Sequence, residues 1–225
     1  MKIQESFISR IMNKPILAIE TSDSICGASV YFSAENFFSS KVSAKYSHSE
    51  KLFEVIDSVI SISGIHKAEI ALIAISEGPG SFTGLRIGMS AVKGLAFGLS
   101  IPVIPVPTFE ALALQLASVY DDEEIIIANK INAEEVYFAK FHLKTNSYIF
   151  TEDLKILQKS ILDSVVGTNK KFGNAFGTDN ITSPDPEFIA KWADKFGEKL
   201  MTNDIDNLEP HYLKNFIVKE KKNVN

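Results

Sequence analysis

The sequence predicts an α/β protein of two lobes, each a sheet flanked by helices. Two observations predict it. In the first half, three short apolar segments are followed by a helical pattern over 47–63, a strand over 69–76 and a helix over 83–99. The second half loosely repeats this order without repeating the sequence. It contains strand, helix, short strand and helix patterns, in EIIIANKI, EEVYFAKFHL, SYIF, QKSILDSVV, KKFGNAF and DPEFIAKWADKFGEKL.

The elements of the first half follow from residue type. PILAIE is apolar and runs into the turn formers Thr21–Ser24, and CGASVYF and FFSSKVS then complete a meander of three strands. Residues 47–63 carry apolar side chains at helical spacing, and Gly64 can end that helix. EIALIAIS is nearly all apolar, which is typical of a strand buried on both faces of its sheet.

Three prolines in IPVIPVP, at 102, 105 and 107, mark the boundary between the lobes. We therefore expect an N-terminal lobe over 1–104 and a C-terminal lobe over 105–225. The second lobe ends in a basic tail, and its last helix is free to pack back on the first lobe.

The composition of the 225-residue chain narrows the function classes. A net charge of −5 gives no global attraction to nucleic acid, so any contact with RNA must be local or made through a partner. Cys26 is the only cysteine, which excludes an intrachain disulfide and fits a reducing cytoplasm. Neither a secretory signal nor an apolar run long enough to span a bilayer is visible, so we expect a cytoplasmic protein without a membrane contact.

The stretch SEGPGSFTGLRIGMS, residues 76–90, carries the strongest motif. A strand that enters a glycine-rich turn and then a helix N-terminus can hold an anion. The predicted nucleotide or anion site consists of Asp23, Gly78, Gly80, Ser81 and Thr83. Neither the Walker pattern nor the dinucleotide fingerprint is present. On spacing alone, a tight turn with a capped helix is therefore favoured over phosphate binding.

The helix over 83–99 has two apolar sides. On a helical wheel its glycines and Ala91 fall within an arc of about 120°, and its large apolar residues form a second face. Each interior glycine costs about 0.5–1 kcal/mol relative to alanine, which close packing against the bare side can offset. The helices over 47–63 and 83–99 are both expected to contact a partner, although the lobe could instead bury their apolar faces internally. The predicted interface residues are Leu52, Val55, Ile56, Val59, Gly84, Arg86, Gly88, Met89, Ala91 and Val92.

No catalytic set can be assembled from the sequence. The four histidines lack helical metal-site spacing, and neither H-E-x-x-H nor G-x-S-x-G occurs. Asp23 could hold a magnesium-nucleotide, but an Asx-turn is the simpler interpretation. We therefore predict no catalytic residue and no metal ligand.

Three segments together resemble the TsaB (YeaZ) family: PILAIETSDSICGASV, HSEKL, and the run from SEGPGSFTGLRIGMS to TFEALA. The terminal EPHYLK is similar to that family's Pro-x-Tyr-Leu-Arg signature. One departure is that NKINAEEVY stands where the family commonly has an Asp-Ala-Arg-like segment.

This resemblance implies a two-lobed actin/Hsp70/acetate-kinase-like (ASKHA, RNase H-like) fold with mixed sheets. It also implies a non-catalytic dimerisation subunit that binds and activates TsaD, which adds threonylcarbamoyl to N6 of adenosine 37 in ANN-decoding tRNAs. TsaD carries a metal-binding H-x-x-x-H, and this sequence has none.

The implied partners are TsaD, a TsaE-type ATPase in a larger complex, and a second copy of the chain when it is alone. Contact with tRNA would be indirect. No cofactor of its own is expected, and ATP or ADP with magnesium would bind only in the assembled complex. The alternative function is an independent actin-fold ATPase or kinase that uses the 78–83 turn.

Overall fold

The first sheet has five strands, and its order places the predicted meander at one side. The computed structural model describes residues 14–43, 48–177 and 180–213. The strands are β1 (Ile16–Glu20), β2 (Ile25–Ser33), β3 (Asn36–Ser43), β4 (Leu72–Gly78) and β5 (Val103–Pro107). Their spatial order is β3-β2-β1-β4-β5. In the meander, β2 is antiparallel to both β1 and β3, whereas β4 is parallel to β1 and β5 to β4.

The two faces of this sheet are covered by two pairs of helices. The first pair is α1 (His48–Ser63) and α2 (Phe82–Leu99), and the second is α3 (Thr108–Leu116) and α5 (Pro186–Phe196). Successive residues of a strand point to opposite faces. Accordingly Leu17 and Ile19 belong to the core under α1 and α2. Ala18 lies in the core under α3 and α5 instead.

The second sheet repeats the order of the first four strands. It contains β6 (Glu124–Lys130), β7 (Glu135–Lys144), β8 (Ser147–Gln158) and β9 (Lys170–Phe172), and α4 (Lys159–Val166) joins the last two strands. The spatial order β8-β7-β6-β9 corresponds to β3-β2-β1-β4. As in the first sheet, the meander is antiparallel and the strand after the helix is parallel to the first.

Helix α3 belongs to both lobes at once. Its residues Ala111 and Leu114 are buried in the core of the first sheet. Phe109 and Leu112, on the opposite side, are buried in the core of the second sheet. The two sheets therefore share one helix as a common wall.

The boundary between the sheets lies slightly later than the sequence predicts. β5 continues to Pro107 as part of the first sheet, so a boundary after residue 104 would cut through this strand. Prolines 105 and 107 are tolerated because β5 is an edge strand. Helix α5 packs on β1 and β2 of the first sheet. Residue 47 and the basic tail, 214–225, lie outside the described residues.

Residues 202–213, called the strap below, follow the edge of the first lobe. Thr202 and Val103 exchange two backbone hydrogen bonds of 2.9 Å each, which attach the strap to β5. Leu208 is buried in the core under α1 and α2. Leu213, at the end of the strap, packs on the core of the second sheet. The strap therefore runs from one lobe to the other.

Candidate functional site

The turn between β1 and β2 is organised around a buried carboxylate. Glu20 is completely buried at the end of β1. It accepts hydrogen bonds from the Ser22 amide, at 2.5 Å, and from the Ser76 hydroxyl of β4. Burial raises the pKa of Glu20 to about 7, and the bonds from Ser22 and Ser76 oppose that rise. The carboxylate therefore fixes the path of the chain into Asp23.

The glycine-rich turn after β4 uses backbone donors within the protein itself. The Gly78 amide donates to the Thr108 hydroxyl at 3.1 Å. The Ser81 amide donates to the Ser22 carbonyl at 2.6 Å. An anion held by this turn would need such donors. Because these two amides already donate hydrogen bonds within the protein, the turn is better suited to joining β1, β4 and α3 than to binding a phosphate.

Close approach explains why the turn needs glycine. A Cβ added to Gly80 would lie 2.4 Å from the Ser22 carbonyl oxygen, and one added to Gly78 would lie 2.8 Å from the His211 carbonyl oxygen. Gly78 also has a φ of 119°, which other residues rarely adopt. Both glycines thus serve contacts within the chain.

Three of the five predicted nucleotide or anion residues do come together. Asp23, Ser81 and Thr83 line an open cavity of about 510 Å³ at the N-terminal ends of α1 and α2, whereas Gly78 and Gly80 do not. Ser81 also caps α2, because its hydroxyl accepts a 3.2 Å bond from the Gly84 amide. The cavity offers hydroxyls, one carboxylate and the ring of His48. The carboxylate of Asp23 repels an anion that binds there without a cation.

Asp23 also connects the lobes. Its carboxylate accepts a 3.4 Å hydrogen bond from the Asn174 side-chain amide of the second lobe. Both residues line a second cavity, of about 730 Å³, between the sheets. The side chain of Asn129 holds the neighbouring segment, since it donates to the Thr182 carbonyl and accepts from the Asn174 backbone amide. Sequence reasoning missed these asparagines, because their partners lie far away along the chain and leave no local pattern.

Nine of the ten residues predicted to contact a partner are buried within the first lobe. The exception is Arg86, which is exposed. Most of these residues therefore offer little surface to another molecule, although Leu52 and Ala91 line an open groove between α1 and α2. That this set contacts a partner stays a prediction. The buried residues are Leu52, Val55, Ile56, Val59, Gly84, Gly88, Met89, Ala91 and Val92.

The glycine side of α2 is likewise not one continuous free face. Gly84 and Gly88 lie against Thr21, where an added Cβ would be 2.1 Å from its carbonyl oxygen and 2.3 Å from its hydroxyl oxygen, respectively. The β1–β2 turn thus covers the first half of the bare side. Gly94 and Gly98 differ, because a Cβ added at either position would have no other atom within 4 Å.

The exposed residues of the two helices include several large apolar side chains. Phe53 of α1 is 52% exposed and Phe97 of α2 is 82% exposed. Phe82 and Ile62 are exposed as well. An open groove of about 610 Å³ runs between α1 and α2, with Phe53 and Phe82 among its lining residues. Burial of large aromatic side chains dominates interface energetics, so this face is a candidate contact surface. That these helices carry an interface stays a prediction.

Two kinds of feature are absent from the described residues. In that part of the chain, no group of three or more His, Cys, Asp or Glu side chains is arranged to hold a metal ion. Among the described helices, none combines the length and apolar character needed to cross a membrane.

The chain is similar to known proteins of threonylcarbamoyladenosine biosynthesis. A family model described as TsaD, tRNA N6-adenosine threonylcarbamoyltransferase, matches residues 36–165. The tRNA threonylcarbamoyladenosine biosynthesis protein TsaB of Haemophilus influenzae is 31% identical over 130 residues, which cover 58% of this chain and about half, 55%, of that protein. TsaB of Buchnera aphidicola from Acyrthosiphon pisum is 30% identical over 163 residues, 71% of this chain and 72% of that protein.

The fold is also similar to that of solved structures. A crystal structure from Pseudomonas aeruginosa, described as a protein with similarity to peptidase YEAZ, superposes with a TM-score of 0.76. It is 22% identical and covers 89% of this chain and all of that one. Together with the two mixed sheets and their flanking helices, this match confirms the predicted fold class.

Proposed function

The chain belongs to the family described as TsaD, tRNA N6-adenosine threonylcarbamoyltransferase, in its TsaB (YeaZ) branch, as its motifs predicted. From this premise we propose that it is the non-catalytic scaffold subunit of the complex that adds threonylcarbamoyl to N6 of adenosine 37 in ANN-decoding tRNAs. In this role it binds and activates the catalytic subunit TsaD. The same proposal places it in the cytoplasm, with tRNA contacted only through the complex.

The observation that carries the proposal is the exposed aromatic face of α1 and α2. Phe53, which is 52% exposed, lines the groove between the helices together with Phe82, and Phe97, nearer the end of α2, is 82% exposed. Large aromatic side chains at a surface are typical of residues that a partner covers. Because the family model that matches residues 36–165 is that of TsaD, we expect TsaD to present a similarly built pair of helices to this face.

The construction of the glycine-rich turn supports a scaffold over an enzyme. Its Gly78 and Ser81 amides are bound by Thr108 and Ser22 rather than being directed at a ligand. We place ATP or ADP with magnesium in the assembled complex, where a TsaE-type ATPase joins, rather than in a site of this chain alone.

The test is a reconstituted tRNA modification reaction. TsaD, the TsaE-type ATPase, threonylcarbamoyl donor and substrate tRNA are combined with and without this chain, and threonylcarbamoyladenosine is quantified. We expect modification only when the chain is present. Full activity in its absence would overturn the proposal.

A second candidate, an independent actin-fold ATPase or kinase, rests on Asp23. This carboxylate lines the cavities on both sides of the β1–β2 turn, where it could bind magnesium-nucleotide beside Ser81 and Thr83. Calorimetric titration of the isolated chain with Mg-ATP separates the candidates. Micromolar binding accompanied by turnover would favour the enzyme, whereas no heat and no turnover would favour the scaffold.

A second copy of the chain is the remaining candidate for the α1–α2 face when TsaD is absent. Such a homodimer would compete with TsaD for the same aromatic residues. Adding TsaD to the isolated chain should then convert homodimer into heterodimer. The mass of the complexes, measured by light scattering, would reveal this exchange.

A further inference from the structure

The strap is fixed to the first lobe at several points along its length. The Lys93 ammonium of α2 donates to the Asp206 carbonyl at 3.0 Å. The His211 amide donates to the Glu77 carbonyl at 2.7 Å, beside the glycine-rich turn. With Leu208 buried in the core, these contacts hold the strap against one side of α2. The strap is therefore part of the surface that α2 presents.

At the end of the strap, Tyr212 holds the side chain of Arg86. The Arg86 Nε donates to the Tyr212 hydroxyl at 3.2 Å. The guanidinium also stacks 3.9 Å from the centre of the Phe82 ring, and the Phe82 and Tyr212 rings lie 5.2 Å apart. Stacking and the Nε bond restrict the rotamers of a side chain that is otherwise very flexible. The guanidinium is thus held in place before any partner binds.

Among the described residues, Arg86 has no acidic partner. Within residues 14–43, 48–177 and 180–213, none of the ion pairs involves Arg86. The sequence of α2, FTGLRIGMSAVKGLAFGL, contains two cations and no acid. Arg86 and Lys93 are two turns apart, about 10 Å along the helix. On a molecule of net charge −5, this makes the outer side of α2 a local positive site.

A small cavity joins the two cations. It measures about 300 Å³ and lies between α2 and the strap. Its lining residues are Arg86, Met89, Ser90, Lys93, Leu208, Glu209, Pro210 and Tyr212. Glu209 carries a carboxylate at this site, and the protein as a whole is negatively charged. Both charges repel a polyanion such as RNA more strongly than they repel a single carboxylate group.

We propose that the strap positions Arg86 to bind a carboxylate side chain of the TsaD subunit, and that this contact selects the partner at the α1–α2 face. The planar guanidinium retains its terminal N–H donors, which match a carboxylate in bidentate fashion. Phe82 and the other exposed aromatic residues form the apolar surroundings in which such a pair is strong. The inference rests on the proposed function, because it names the chemistry of the same partner.

Binding of the chain to purified TsaD, measured by surface plasmon resonance at several salt concentrations, tests the proposal. Arg86→Gln shortens the side chain slightly and removes the charge, and it should weaken binding at least tenfold and flatten the salt dependence. Arg86→Lys should also weaken binding, because an ammonium cannot form the bidentate pair. Tyr212→Phe should weaken it less. Lys199→Gln, which removes an exposed charge outside this cluster, is the matched control and should bind as wild type.

The outcomes separate this inference from the proposed function. If wild type binds TsaD and Arg86→Gln binds equally well, the inference fails while the scaffold proposal stands. If wild type does not bind TsaD at all, both fail. An Arg86→Glu variant that is restored by an acid-to-lysine change in TsaD would identify the carboxylate. If Arg86→Gln loses binding to free phosphate or tRNA but binds TsaD as wild type does, Arg86 binds phosphate and the inference is overturned.

Discussion

The carboxylate of Glu20 and the hydroxyl of Ser76 are hydrogen-bonded inside the protein, 56 residues apart along the chain. This bond ties the end of β1 to β4 at the point where each strand leaves the sheet. It also places a titratable group in a site without water contact, since Glu20 is completely buried. The consequence is a dependence of stability on pH near neutrality.

We predict that the free energy of unfolding falls as the pH rises from about 4.5 to about 7. Burial raises the pKa of Glu20 from 4.5 to about 7 in the folded protein, so the folded state holds this proton more tightly than the unfolded state. Its contribution is fully present below pH 4.5 and is lost as the pH passes through 7. The loss amounts to about 3 kcal/mol.

Urea denaturation of wild type and Glu20→Gln between pH 5 and pH 8 measures this effect. The neutral amide should remove the part of the slope that Glu20 contributes, whereas Glu77 and Glu110, whose pKa values burial also raises, contribute a slope to both proteins. Glu50→Gln, on the exposed side of α1, should leave the slope unchanged. An identical slope in wild type and Glu20→Gln would contradict the prediction.

We predict opposite effects for alanine at two glycines of the same helix. Gly88→Ala places a Cβ 2.3 Å from the Thr21 hydroxyl oxygen and should destabilise the fold by about 1–3 kcal/mol. Gly94→Ala meets nothing within 4 Å and should stabilise it by about 0.5–1 kcal/mol. Denaturant unfolding of wild type and the two variants measures these changes in the free energy of unfolding. Equal changes in both would show that Thr21 does not pack against Gly88.

We predict that Phe97→Asp abolishes association without affecting the fold. Phe97 is 82% exposed, so the substitution removes little buried contact within the chain but introduces a charge into the proposed interface. Co-purification with TsaD and light scattering of the isolated chain measure the two assemblies. Val119→Asp, at a residue 74% exposed after α3, is the control. If Phe97→Asp assembles like the control, α2 does not contact the partner through this residue.

We predict that Tyr148→Phe destabilises the contact between β8, α3 and α5. The Tyr148 hydroxyl donates to Glu110 at 2.5 Å and accepts from the Trp192 indole at 2.8 Å. Its removal leaves the buried Trp192 indole and the half-buried Glu110 carboxylate without this partner, at a total cost of about 1–3 kcal/mol. Burial raises the pKa of Glu110, and the Tyr148 bond opposes this, so the variant should raise that pKa further.

Thermal unfolding and carbon-detected NMR titration of Glu110 measure the two effects of Tyr148→Phe. Tyr120→Phe is the control, because no hydrogen bond of the Tyr120 hydroxyl is found in the described part of the chain. An unchanged melting temperature for Tyr148→Phe would show that the network adds little.

The sequence predicts those helices and strands whose apolar residues recur at regular helical or strand spacing. Helix α2 runs over Phe82–Leu99, against a prediction of 83–99, and the Ser81 hydroxyl caps its first turn. The extent of β8 is harder to predict: SYIF covers four residues, whereas the strand runs over Ser147–Gln158. Its remainder, TEDLKILQ, lies at a sheet edge and mixes charged and apolar residues without a regular alternation, so no strand period marks it.

The candidate site is less predictable because its contacts are distant along the chain. A helical wheel identifies the bare side of α2 but not the turn at Thr21 that covers half of it. The hydrogen bond between Arg86 and Tyr212 joins residues 126 positions apart, so no local pattern predicts it. Even so, the residues at the cavity beside Asp23, namely Ser81 and Thr83, follow from the turn motif alone.

The helix shared by the two sheets limits how the lobes can move. Rotating the lobes apart would pull α3 out of one of its two cores, exposing either Ala111 and Leu114 or Phe109 and Leu112. Exposing each large apolar side chain costs about 1.5–3 kcal/mol, so lobe opening and local unfolding of α3 become the same event. The protein should therefore bind its partner as a rigid body. The shape of its α1–α2 face should not change when a ligand occupies the cavity between the two sheets.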